Sequence, residues 1–473
     1  MKKNIFILFL FLPFLIEAQS ILVSEDVPLR NDVSYELLGE LKGQTLLFRD
    51  RSHEFEVQAF DDRMRLSWSK EIELDKRSPQ VLGVFSTQED FTVVYRFRQK
   101  GNTIVKAHRY NPAANLIDSI TVHDYGYLFY TPNFEIIRSE DKSKLLIYYI
   151  ERQNIVRAVA FDARKMKTLW EKSFSPEDLN YYDDYRQMLV DNDGNLRLVL
   201  EKDNFRSKRK THYYEIHEYY GESDELTAFN LPLEGYLTYD VFFKFDNLNQ
   251  RLIAAGLYSE KNPAKANGYF YLSIDPKRPK THLLSFTPFD DEFVANLTGK
   301  EVDDNKGIVE VRIQDVVLRI DGGVLMIAER TRQLERRSAG ASRVYYDGTS
   351  RFIVDYYYDE LFVISIHPTG ESHWKTILHK KQYSQDDDGV YSSYFLFKTP
   401  SNLRFLFNDE IRYENTVSEY VMNGLGEYDR NSILSTENLH LRLRFRDAIQ
   451  VDAGGLIVPS ERRNRLKLVK LEY

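Results

Sequence analysis

Apolar and polar residues alternate with a period of two along much of this chain. The pattern is plain in Phe55-Glu56-Val57-Gln58-Ala59-Phe60, in Tyr269-Phe270-Tyr271-Leu272-Ser273-Ile274 and in Leu466-Lys467-Leu468-Val469-Lys470-Leu471. Such alternation sets one row of side chains on each face of a pleated strand. No stretch carries the longer period of an extended amphipathic helix, so the chain reads as all-β. The 32 Tyr and 30 Phe suit half-buried sheet surfaces and strengthen that reading.

The strands fall into a repeat. Each unit has an entering strand, a tight polar turn, a second strand, a loop, a third strand, another turn and a fourth strand. The first turns lie at Gly43, Glu89, Asp141, Gly194, Asn247, Gly322, Ser401 and Gly454. Turns such as Asp191-Asn192-Asp193-Gly194-Asn195 and Asp321-Gly322-Gly323 use residues that accept positive φ cheaply. The strands that follow are apolar, as in Leu46-Leu47-Phe48, Leu145-Leu146-Ile147 and Leu325-Met326-Ile327. Four-stranded meanders recurring about every 50 residues predict the blades of a β-propeller, here eight, with seven as the alternative count.

The ends of the chain fit the larger count. The eighth unit stops after its third strand at Tyr473, while 19–29 holds a spare strand before the first unit. Placed as the outer strand of the last blade, the spare strand closes the ring and removes an open sheet edge.

Ahead of it, Lys2 and Lys3 precede an apolar run over 5–16, followed by Glu17-Ala18-Gln19-Ser20. This is the succession of a secretory signal peptide, with cleavage after Ala18. The run is too short to cross a bilayer, which takes about 20 residues. The expected organisation is a signal peptide over 1–18 and one propeller domain over 19–473 with a long insertion at 329–360. There is no cysteine, so disulfides, thiolate metal sites, a cysteine nucleophile and a lipidated cysteine are excluded together. The formal net charge of −8 disfavours a general nucleic-acid or anionic-membrane role. The chain is therefore expected to be exported to the periplasm or cell surface without a lipid anchor or a membrane span.

Phe161-Asp162-Ala163 followed by Leu169-Trp170, His367-Pro368-Thr369-Gly370-Glu371 followed by Trp374, and Phe60-Asp61-Asp62 followed by Trp68 resemble degenerate copies of the quinoprotein-type propeller repeat. The resemblance implies an eight-bladed ring in which these tryptophans dock each blade to its neighbour. That superfamily includes quinone-dependent dehydrogenases and non-enzymatic outer-membrane assembly scaffolds of the BamB type. The cleavage region and the aromatic, lysine-rich style also resemble secreted proteins of the Bacteroidota. The dehydrogenases carry a calcium site, an acidic base and often a disulfide of adjacent cysteines beside the quinone, and the lack of cysteine here argues against quinone chemistry.

Other chemistry finds little support. The sequence contains no P-loop, no G-x-S-x-G elbow, no H-E-x-x-H and no dinucleotide glycine fingerprint. His212 and His217 are spaced to face opposite sides of a strand, which opposes a shared metal. Asp191-x-Asp193-Gly194-Asn195 starts like a calcium loop but lacks the distal glutamate. The runs Asp386-Asp387-Asp388-Gly389 and Asp303-Asp304 are weaker cation candidates, with solvated acidic loops as the default. No cofactor and no metal are expected.

The loops carry more information. In a meander the second-to-third loops and the blade-to-blade loops share one face of the ring, and here they are long and aromatic. Asp124-Tyr125-Gly126-Tyr127-Leu128-Phe129-Tyr130 and Asn180-Tyr181-Tyr182-Asp183-Asp184-Tyr185 are examples. Loops at 286–306, 329–360 and 382–390 should gather at the sixth blade on that face. The middle one carries Arg336, Arg337 and Arg343 with Tyr345 and Tyr346. Arginine and tyrosine are favoured interface anchors. With Tyr125 and Tyr181 these residues are the expected partner-binding set. The expected role is a non-catalytic scaffold for a protein partner in the cell envelope, associated with an outer-membrane assembly or export machine. The alternative is an enzyme or sensor acting on a saccharide or peptide ligand in the central funnel.

Overall fold

The computed structural model of the chain describes residues 20–75, 79–299, 307–337, 352–409, 411, 416–436 and 439–473. Eight antiparallel sheets follow one another in chain order as the blades of a β-propeller. Blades 1 to 7 span 34–72, 80–127, 135–174, 185–232, 237–288, 311–378 and 395–435. Blade 8 takes three strands from 449–472 and its outermost strand, Ser20–Val23, from the other end of the chain. All eight expected first turns lie between the first and second strands of a blade, and Gly43, Gly194 and Gly322 adopt φ of 77°, 88° and 88°.

The amphipathic alternation is used on both faces of every blade. Eight clusters of buried apolar side chains occupy the eight seams between consecutive blades. At the last seam Ile457, Leu466 and Leu468 of blade 8 pack with Leu47 and Phe60 of blade 1. The register of the closing strand runs from Ser20 opposite Glu472 to Val23 opposite Val469, and Val27 and Pro28 continue it against Leu466 and Arg465. A side-chain clasp reinforces it. The buried Arg49 guanidinium donates to the Pro28 carbonyl at 2.5 Å and ion-pairs with Asp32 at 2.7 Å.

The tryptophans bridge seams as the repeat implies. Trp170, on the fourth strand of blade 3, donates to the Gly194 carbonyl in the first turn of blade 4 at 2.9 Å. Its ring also lies so close to Gly221, in the turn between the third and fourth strands of blade 4, that a Cβ there would meet Trp170 Cδ1 at 1.9 Å, which accounts for glycine at that position. Trp374 of blade 6 donates to Gly424 of blade 7 at 3.1 Å. Trp68 instead bonds Gln44 within its own blade while packing into the seam with blade 2.

Candidate partner-binding face

The second and third strands of blade 6, Val324–Arg337 and Phe352–Ile366, are much longer than the first and fourth strands beside them. The first strand pairs as far as Arg330 and the fourth as far as Leu361. Beyond that edge the two long strands continue as a ribbon, from Thr331 opposite Tyr358 to Arg337 opposite Phe352. A third strand, Gln382–Gln385, joins it along Tyr358 to Asp355. Much of the segment read as a loop is thus strand. Ile353, Val354 and Tyr356 to Tyr358 have the branched and aromatic side chains that favour it, and a bulge between Glu329 and Thr331 marks its departure from the blade.

The base of the ribbon is a buried polar knot. Lys380 Nζ lies 2.6 Å from Glu329 Oε1, and both side chains have 0% exposure. Burial lowers the pKa of Lys380, opposed by the Glu329 carboxylate. The ammonium also donates to the Tyr358 carbonyl at 2.9 Å and to Gln382 Oε1 at 2.8 Å. Ser393 Oγ donates to Glu329 Oε2 at 2.7 Å, and Gln382 Nε2 donates to the Asn408 carbonyl of blade 7 at 2.7 Å. The root of the ribbon is therefore tied to blades 6 and 7 by charge-assisted bonds in a buried setting, where they are strongest.

On the ribbon, Arg336 forms a forked pair with Asp355 at 2.5 and 3.3 Å, and Tyr383 donates to the same carboxylate at 2.7 Å. The Arg332 guanidinium sits 4.4 Å from the Tyr357 ring centroid, and the Tyr357 and Tyr383 rings are 5.1 Å apart. The acidic run folds onto this surface. Asp386 exchanges bonds with the backbone of Val354, and Tyr356 donates to Asp388 at 3.0 Å. Burial and the Asp388 charge push the Tyr356 hydroxyl up to about 12. The run thus clamps its loop to the ribbon. The third expected loop contributes the helix Asp291–Thr298, whose Phe293, Val294 and Leu297 pack under blade 6. Arg330 donates to the Leu297 carbonyl at 3.1 Å. Of the expected site residues, Arg336 lies on the ribbon with its side chain 49% exposed, and Arg337 pairs through its backbone with Phe352. Arg343, Tyr345 and Tyr346 lie outside the described residues, as do Asp303 and Asp304.

Across the same face, Tyr125 is half-buried among His123, Phe134 and Tyr149, and Tyr181 packs on Tyr182 and Tyr185. Their chain neighbours carry the open rings: Tyr127, Phe129, Tyr130 and Tyr182 are each at least 70% exposed. The segments read as loops are partly regular: Tyr125 and Tyr127 end the strand Leu116–Tyr127 across a bulge, and Tyr181 and Tyr182 open the helical turn Tyr181–Asp184, so simple alternation could not tell inward from outward tyrosines.

The innermost strands bring other charges together. Asp315 lies 2.6 Å from Lys244 and 3.8 Å from Lys398. Burial raises its pKa, but the two ammonium groups prevail and hold the carboxyl below its usual range. Asn247 donates to Glu140 at 2.8 Å. Burial raises the Glu36 carboxyl, assisted by Asp447, at a cavity of about 650 Å³ between blades 8 and 1. Among the described residues no group of three or more metal-ligating side chains is found, and no helix is long and apolar enough to cross a membrane. The Asp191 carboxylate is used within its turn, accepting from the backbone of Asp193 and Asn195 and from Arg197.

No family model matches this chain, and no curated sequence does. Solved structures match it over most of its length. The WD40 domain of SCAP from fission yeast is 8% identical with a TM-score of 0.40, covering 95% of this chain and 98% of that one. A europium-containing methanol dehydrogenase is 9% identical with a TM-score of 0.43, covering 96% and 93%. Dipeptidyl peptidase 4 of Porphyromonas gingivalis is 10% identical with a TM-score of 0.45, and the match covers 90% of this chain but 56% of that one. These structures include a WD40 domain and enzymes.

Proposed function

We propose that this chain is an exported, non-catalytic propeller of the cell envelope that serves as a scaffold for a protein partner, and that the partner docks on the blade 6 ribbon. The observation carrying this reading is the ribbon itself: a three-stranded projection rooted in a buried ion pair and presenting Arg332, Arg336, Tyr357 and Tyr383. A rigid root keeps the entropy lost on docking small, and arginine with tyrosine supplies the contacts that dominate interface energies. An association with an outer-membrane assembly or export machine belongs to the same proposal and rests on the repeat resemblance.

Replacing Arg336, Arg337 and Arg343 together by alanine tests it. Partner capture from native envelope extracts should fall, and the remaining capture should depend less on salt, while the melting temperature falls only slightly, since Arg336 is half exposed and Tyr383 still donates to Asp355. Unchanged capture with a lower melting temperature would mean that these arginines only brace the ribbon through contacts such as that with Asp355.

A further inference from the structure

The second-to-third hairpin of blade 8 carries a charge arrangement that does nothing for its own stability. Arg462 and Arg465 are direct cross-strand partners, and like charges in that relation repel. Between them the chain turns through Arg463 and Asn464, with φ of 51° and 59°. A two-residue turn of this kind favours Asn, Asp or Gly at both positions, so arginine at the first is a costly choice. Three arginines thus crowd four positions at the end of a hairpin.

These side chains open onto a cleft of about 1060 Å³, which Lys467, His440 and Arg30 also line. Among the described residues the acid lining this cleft is Asp26, already shared between Arg465 at 3.0 Å and Lys467 at 3.9 Å. The neighbouring Glu461 is committed to Arg444. Within the described residues Arg30, Arg462 and Arg463 have no acidic partner. An excess of cations in one cleft of a chain whose net charge is −8 is a local feature that general solubility does not explain.

We propose that this cleft binds an extended acidic peptide segment of a partner. Guanidinium groups match carboxylates with two parallel bonds. Arg465 and Lys467 stand two residues apart on one face of a strand, so their spacing of about 6.8 Å equals that of alternate side chains on an extended peptide. A planar anionic membrane could not follow the concave cleft. The cleft lies on the same face of the ring as the ribbon but uses none of its residues, so the proposal goes beyond the ribbon reading and can fail separately from it.

The test is fluorescence anisotropy of a labelled peptide of alternating glutamate and serine on the full chain. Binding should weaken as sodium chloride is raised. Arg462→Ser with Arg463→Asn should weaken it about tenfold or more and leave the melting temperature equal or higher, because repulsion is relieved and the turn receives a favoured residue. Arg462→Lys with Arg463→Lys, keeping charge but not the fork, should fall between. Peptide affinity unaffected by the Ser/Asn pair, or no binding by the unmodified chain, would overturn the proposal. So would stronger displacement of the peptide by polygalacturonate, inorganic phosphate or phosphatidylglycerol vesicles than by unlabelled peptide.

Discussion

A chain beginning at Arg30 should lose cooperative unfolding and turn aggregation-prone. That deletion removes Ser20–Val23 and the Val27–Pro28 pairing, leaving the third strand of blade 8, Arg465–Glu472, as an open edge. It also uncovers Leu466, Leu468, Val469 and Leu471, all now fully buried, and takes from Arg49 the Pro28 carbonyl it donates to. The apolar side chains lost include Ile21, Leu22, Val23, Val27 and Leu29. At about 1.5–3 kcal/mol for each fully buried residue, and less for the four that are half-buried, the loss is on the order of 5 kcal/mol. That is a large share of the roughly 5–15 kcal/mol that separates folded from unfolded domains. Thermal denaturation followed by circular dichroism, with light scattering, reads the effect. A shortened chain that melts as the longer one does would show that the ring does not depend on this strand.

Breaking the knot beneath the ribbon should cost nearly as much. Lys380→Ala leaves the Glu329 carboxylate fully buried and without its ion-pair partner, and removing one partner of a buried ion pair costs about 3–5 kcal/mol. Replacing both, as Lys380→Met with Glu329→Leu, should recover much of the loss, since two apolar residues of similar size leave no stranded charge. The recovery is incomplete because Ser393 loses the Glu329 acceptor and the Gln382 Oε1 loses the Lys380 donor. Chemical denaturation of the single and double variants measures this. A double variant no more stable than either single one would assign the cost to packing instead of charge.

The repeat could be read from the sequence because its signals are local. Residues that tolerate left-handed backbone mark Gly43, Gly194 and Gly322, and alternating apolar strands flank them. The closing strand was legible for a related reason: a meander short of one strand at Tyr473 calls for another at the far end. The site was harder to read. The ribbon strands are rich in arginine, glutamate and tyrosine, a composition shared by solvated loops, so 329–360 reads as an insertion without structure. The third strand that broadens the projection is Gln382–Gln385, a polar run with little strand signal of its own. The Glu329 to Lys380 contact joins residues far apart in sequence, and nothing local announces it. Arg462, Arg463 and Arg465 pass for an ordinary charged turn until the register shows two of them opposed. Trp170 and Trp374 did announce themselves, because a tryptophan at a set distance after an outer-strand turn is part of the repeat.

The central claim is that the blade 6 ribbon, and not the funnel, carries the interaction. It is tested most directly by joining Gln333 to Tyr356 through an Asn-Gly turn. These two residues already face each other across the ribbon, and Asn-Gly suits a two-residue hairpin turn. The shortened chain keeps Glu329, Lys380 and the Tyr356 bond to Asp388, so its fold should be intact. Quantitative crosslinking and capture from the native envelope, comparing full-length and shortened chains at matched levels, is the measurement. Specific partners recovered with the full chain should come down at much lower yield with the shortened one, which keeps Arg332, Tyr357 and Tyr383 but lacks Arg336, Arg337 and Arg343, while the melting temperature is unchanged; recovery of the same partners at the same yield would contradict a ribbon-borne site.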